Sequence, residues 1–312
     1  MTKYLDRLPL QPRLSSSSSL FIYFVVLLLG FFFGQFVGTL AIVPFLGADL
    51  EAFTSFAEDP SSVPNGQKIS WLMQSIYTVV SYILIPLAFV KYYEHQRTRD
   101  ISPSWKGSPI DVVIPLAIIF PFLVVNAQLI QWNQGMDLSF LGSLGEWAVK
   151  TEQQMKEQTE FMTQMDGIGD MILLSIMIAV LPAIGEEIAF RGLLQNYIHR
   201  VSGNAHVAVW VAAAVFSAIH LQFLGFFPRM ALGVLFGYLF VWSGKLWVAM
   251  LAHFLNNFIT VLLVYSQQQG MMEDTSETPE LLPLAPTLVA VLAVAGVGYF
   301  YYNYYKQRGV AA

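Results

Sequence analysis

Eight stretches of this chain are apolar for long enough to cross a lipid bilayer. A helix rises about 1.5 Å per residue and the hydrocarbon core is about 30 Å thick, so roughly 20 apolar residues suffice. The stretches fall at 20–46, 70–90, 110–129, 168–198, 205–224, 230–242, 246–265 and 287–305. The fourth is over-long and polar in its second half, and the sixth is short. Charge is scarce to match: Asp, Glu, Lys and Arg make up 12% of the 312 residues, about half the ~25% of soluble proteins. With 55% hydrophobic residues, a soluble fold of this size would expose large apolar patches. The fold class expected is therefore all-α, a polytopic integral membrane protein of about eight transmembrane helices. A net charge of −5 excludes a generally basic nucleic-acid binder, and zero cysteines exclude disulfides, thiolate metal sites and a cysteine nucleophile. The first stretch is too long for a signal-peptide core and lacks a small-residue cleavage site, so it is expected to be retained.

Orientation follows from where the cations fall. With the N-terminus inside, the inner segments hold twelve: Lys3, Arg7, Arg13, Lys91, Arg97, Arg99, Lys106, Arg191, Arg200, Lys245, Lys306 and Arg308. The outer segments hold four: Lys68, Lys150, Lys156 and Arg229. Acidic residues concentrate outside, at Asp49, Glu51, Glu58, Asp59, the 137–170 stretch and 273–280. Both termini are expected on the cytoplasmic side, and the location expected is a bacterial cytoplasmic membrane. Gly30, Gly34 and Gly38 form one small-residue ridge and Gly233 and Gly237 another, each suited to close helix approach. Tyr299 to Tyr305 reads as an interfacial aromatic belt, and the Ser15 to Ser19 run as a flexible lead-in.

An ionisable residue in lipid is costly and is a functional candidate by default. Three places qualify: Gly185-Glu186-Glu187-Ile188-Ala189-Phe190-Arg191 in the fourth span, Phe216-Ser217-Ala218-Ile219-His220 late in the fifth, and His253-Phe254-Leu255-Asn256-Asn257 in the seventh. Glu187 and Arg191 are four residues apart on one helix face and can pair. Glu186 is turned about 100° from that face, and a carboxylate kept from water without a dedicated cation suits a general base. His253 and Asn257 share a face in the same way. Counting about 1.5 Å per residue from the inner connections places Glu186, His220, His253 and Asn257 in one layer of the bilayer, past its middle. A carboxylate and a histidine can hold a water and take its proton as it attacks a carbonyl. A histidine and an asparagine can donate to the oxyanion that forms. Together they describe peptide-bond hydrolysis within the membrane.

Glu186-Glu187-xxx-Arg191, Phe216-xxx-His220 and His253-xxx-Asn257 resemble the three motifs of the CPBP or Abi family of intramembrane proteases, which includes the Rce1-like CAAX prenyl proteases and bacteriocin-processing proteins. The resemblance covers roughly residues 168–265. It implies an eight-helix membrane fold, water activation by Glu186 assisted by His220, an oxyanion hole from His253 and Asn257, and supporting roles for Glu187 and Arg191. The family is often labelled metalloprotease. Zinc on Glu186, His220 and His253 is thus the alternative, but no HExxH is present, and a metal-free glutamate mechanism is favoured. The implied partners are the bilayer and a peptide or membrane-protein substrate.

By segment, 1–130 holds three spans without a motif, 131–167 is a polar extramembrane connection, 168–265 carries the motifs, and 266–312 is an acidic loop with a last span. The polar connection is either an amphipathic helix on the membrane surface or a lid over the site. Gly167-Ile168-Gly169-Asp170 matches the GxGD of aspartyl intramembrane proteases, but no second intramembrane aspartate accompanies it. It reads as a glycine turn at a helix start. His199 and His206 read as headgroup-facing, His95 as solvated, and Arg229 as a secondary candidate for touching substrate or a lipid phosphate. Two other function classes compete: a non-catalytic membrane protein of bacteriocin-immunity type that binds a peptide, and a proton-coupled transporter. The transporter would carry an internal repeat with paired broken helices, which the sequence lacks.

Overall fold

The computed structural model describes residues 10–47, 49–272 and 283–309, among which there is no strand. Lys3, Arg7 and the acidic 273–280 stretch lie outside the described residues. In chain order the main helices are α1 (Ser16–Leu46), α2 (Leu50–Glu58), α3 (Gly66–Tyr93), α4 (Ile110–Gln134), α5 (Ser143–Met162), α6 (Ile168–Ser202), α7 (Ala205–Ala218), α8 (Phe223–Ser243), α9 (Leu246–Gln268) and α10 (Leu284–Gln307). Seven of them, α1, α3, α4, α6, α8, α9 and α10, are long and apolar enough to cross a membrane. The chain is an all-α, multi-pass membrane protein, close to the eight spans expected.

The eighth expected span is α7, which stops at Ala218 rather than continuing to residue 224. Its 14 residues reach about 21 Å, short of a ~30 Å core. The cause is local. In a continuing helix the Phe216 carbonyl would accept the His220 backbone N–H. Here that N–H turns back to Ser217 O, the His220 ring nitrogen Nδ1 bonds Phe216 O at 2.8 Å, and Leu221 takes a left-handed φ of 55°. Residues 219–222 form a turn instead, and the sixth helical segment begins at Phe223 rather than at residue 230.

Both glycine ridges serve close packing. Buried positions of α1 include Tyr23, Leu27, Gly30, Gly34, Gly38 and Ile42, one stripe at helical spacing. A Cβ on Gly34 would fall 2.0 Å from Ser81 Oγ of α3, and one on Gly38 2.9 Å from the Met73 carbonyl. On α8, a Cβ on Gly233 would meet Ala213 Cβ of α7 at 2.9 Å, and one on Gly237 Val209 Cγ1 at 2.9 Å. The other side of α1 presents Phe21, Phe32, Phe33 and Phe36 outward, as a helix in lipid does.

The connections expected on one side of the membrane do share one end of the bundle. Lys245 Nζ, between α8 and α9, binds Asp111 Oδ2 of α4 and Tyr305 Oη of α10, each at 2.6 Å. Tyr301 donates to Asp111 at 3.0 Å, and Ser102 Oγ accepts from Leu246 N. Two expectations are corrected here. Tyr301 and Tyr305 are buried on this network rather than lying in an interfacial belt, although Tyr299 is exposed. Ser15 to Ser19 is no flexible lead-in: Ser15 Oγ caps α1 by accepting from Ser18 N, and the other serines are helical. At the opposite end, Trp71 and Gln67 of α3 donate to carbonyls at the foot of α5, Met162 and Phe161, at 2.8 Å each. Gln268 of α9 donates to Thr163.

Candidate active site

The four residues expected to do chemistry line one cavity of about 260 Å³. Glu186 enters it from α6, His220 from the turn after α7, and His253 and Asn257 from α9. Met177, Ile178, Pro182, Phe216, Leu232 and Phe236 supply its apolar wall. Outside the cavity lining, Trp147 of α5 stands edge-on to Phe223, which follows the turn after α7, at 5.6 Å.

The two adjacent glutamates divide as their spacing predicts. Glu187 is fully buried; its Oε1 receives Arg191 Nη1 at 2.6 Å and His253 Nδ1 at 2.9 Å. Arg191 donates its other arm to the Gly233 carbonyl at 3.0 Å and packs against the rings of Phe216 and Phe236. The missing side chain at Gly233 is what lets the guanidinium reach α8, since a Cβ there would stand 3.3 Å from Nη2. Residues 187–194 form wider π-type turns, a departure that recurs at functional sites. Glu186 faces the cavity instead, with His253 Nε2 at 3.8 Å.

Hydrogen bonds fix the imidazoles. A carbonyl can only accept, so the bond to Phe216 O puts a proton on His220 Nδ1 and leaves Nε2 a lone pair when the ring is neutral. The Glu187 carboxylate likewise puts a proton on His253 Nδ1. His253 can therefore donate from Nε2 only as the imidazolium. Phe236 stacks on this ring at 4.9 Å.

Asn257 is held through a gap in the backbone ladder of α6. Pro182 has no N–H to give the Ile178 carbonyl four residues before it, and Asn257 Nδ2 donates to that carbonyl at 2.9 Å. Asn256 Nδ2 donates to Asn257 Oδ1 at 3.0 Å, which fixes the amide so that its second N–H is left for the cavity. Pro182 is the sequence signal that could have revealed this support. Tyr23 of α1 adds another, donating to the Ala189 carbonyl at 2.8 Å beside the glutamates, and no sequence pattern pointed to it.

Zinc finds a poorer match. Glu186, His220 and His253 are suitable donor types, but among the described residues no group of three His, Asp or Glu side chains comes close enough to hold a metal ion. The remaining candidates lie elsewhere. Asp170 sits in the first turn of α6, with Lys68 at 3.8 Å, outside the cavity. His95 and His206 are exposed, the latter bonded to Tyr238 Oη at 2.6 Å. His199 corrects the headgroup-facing expectation, because α6 continues to Ser202 and buries it in the core. Two cavity residues were not expected to join the others: Gln74, from a helix without a motif, and Arg229, which had been only a secondary candidate.

Residues 168–259 match the family described as type II CAAX prenyl endopeptidase Rce1-like. The chain is also similar to the Bacillus subtilis (strain 168) protein named "Uncharacterized protein YpbD", at 34% identity over 84 residues. That match covers 26% of this chain and 40% of the relative, so the chain spans less than half of the relative's length. No solved structure matches the chain.

Proposed function

We propose that this chain, whose residues 168–259 belong to the Rce1-like family of type II CAAX prenyl endopeptidases, hydrolyses a peptide bond inside the membrane with Glu186 as general base. The observation that supports it most is the sharing of one 260 Å³ cavity by Glu186, His220, His253 and Asn257. A water donating one hydrogen to the Glu186 carboxylate and the other to His220 Nε2 has a lone pair directed at a carbonyl carbon. As it attacks, Glu186 takes its proton. The oxyanion accepts from the Nε2–H of His253 in its imidazolium form and from the second N–H of Asn257, and collapse passes the Glu186 proton to the leaving amine. Glu187 and Arg191 hold His253 in register. No step requires a metal.

The test is a mixture of hydrophobic peptides incubated with the purified protein in micelles of ¹⁸O-enriched water, with products read by mass spectrometry. The expected result is new peptide ends, each new carboxyl carrying one heavy oxygen, undiminished after exhaustive chelation. Peptides left intact would overturn the proposal, and activity lost to chelation and restored by zinc would overturn its metal-free form.

A further inference from the structure

One charged group in the cavity has no part in that chemistry. Arg229 lines the same wall as Glu186 and His220. Its Nη2 donates to Gln222 Oε1, which fixes the plane of the guanidinium, while Nη1 is buried without a hydrogen-bond partner. Among the described residues it forms no ion pair; the carboxylates of Glu186 and Glu152 act on it only through longer-range Coulomb attraction. Its place in the helix makes this worse. Arg229 lies in the first turn of the Phe226–Ser243 helical segment, where the helix dipole favours an anion and disfavours a cation. Arg229 is only half-buried, but its Nη1 edge is buried and neither carboxylate closes on it; in a membrane a charged side chain facing a cavity marks a substrate path.

Building on the protease reading, we propose that Arg229 is a substrate-binding residue that takes a carboxylate carried by the peptide, its C-terminus or an acidic side chain close to the scissile bond. The planar guanidinium suits this partner, because two parallel N–H groups match two carboxylate oxygens. Gln222 occupies one arm and leaves the buried Nη1 edge for the ligand. The bound carboxylate anchors the chain beside Glu186, so the cleaved bond lies at a fixed short spacing from the anion. A lipid phosphate offers the same oxygen chemistry, and it is separated by experiment.

The experiment reads binding rather than turnover, on the Glu186→Gln protein in dodecylmaltoside micelles. Short peptides of one length are supplied with a free or amidated C-terminus, with and without an internal Asp, and the retained fraction is quantified by mass spectrometry. Retention of carboxylate-bearing peptides over neutral ones by about tenfold or more is expected, the ~1.4 kcal/mol step of a single charged contact. Arg229→Gln removes the discrimination and Arg229→Lys keeps part of it, with unfolding midpoints unchanged. Equal retention of charged and neutral peptides, or discrimination that survives Arg229→Gln, overturns the inference. So does Arg229-dependent retention of phosphatidylglycerol over phosphatidylcholine without any peptide preference. Because no turnover is read, a chain that cleaved nothing would refute the hydrolase proposal alone, and equal retention beside normal cleavage would refute only the role of Arg229.

Discussion

Replacing Arg191 with Met tests how the buried charges are held. The substitution keeps an unbranched chain against Phe216 and Phe236 but removes both donors, to Glu187 at 2.6 Å and to the Gly233 carbonyl at 3.0 Å. Glu187 is fully buried and would keep only His253 as a partner. Removing one member of a buried ion pair costs about 3–5 kcal/mol, because the other charge stays without compensation. That corresponds to a fall of between about 10² and 10⁴ in the folding equilibrium constant. Removing both charges should cost far less: in Glu187→Gln/Arg191→Met the amide still accepts from His253 Nδ1, and the coupling between the two sites should be about 2–3 kcal/mol. Equilibrium unfolding in mixed dodecylmaltoside–SDS micelles measures all four corners of the cycle. An Arg191→Met loss below about 1 kcal/mol, or a double variant equal to the sum of its singles, would refute the assignment of Arg191 as the counter-ion of Glu187.

Asn257→Ala should slow peptide hydrolysis about 10²–10³-fold through the lost oxyanion donor, seen as lower kcat at little-changed KM. Gly34→Val should destabilise the fold by about 1–3 kcal/mol, since its Cβ would fall 2.0 Å from Ser81 Oγ; the same micelle titration reads it. Lys245→Met leaves Asp111 buried with only hydroxyl and backbone donors, so hydrogen exchange over residues 284–307 should rise as α10 loosens while that over α1 stays unchanged.

Residues whose meaning depends only on spacing along one helix were legible in the sequence. Glu187 and Arg191 had to share a face, Glu186 had to leave it, and the glycine ridges had to pack. Contacts between distant segments were not. Nothing local tells that Tyr23 reaches the Ala189 carbonyl, that Tyr301 and Tyr305 turn inward to Asp111, or that Gln74 reaches the cavity. The fifth span was mis-ended for a different reason. Hydropathy runs on through Ile219, Leu221 and Phe223, whereas the helix ends on the capture of one carbonyl by the His220 ring, a competition between side chain and backbone that hydropathy does not register. That early end places His220 in the turn from which it lines the cavity.

The division of labour between two adjacent glutamates is tested most directly by comparing Glu186→Gln with Glu187→Gln for both peptide hydrolysis and unfolding midpoint. Glu186 faces the cavity and Glu187 is committed to Arg191 and His253. Glu186→Gln should therefore abolish hydrolysis at wild-type stability, whereas Glu187→Gln should lower the unfolding midpoint and leave measurable turnover. A Glu186→Gln protein that cleaves at the wild-type rate would contradict the account.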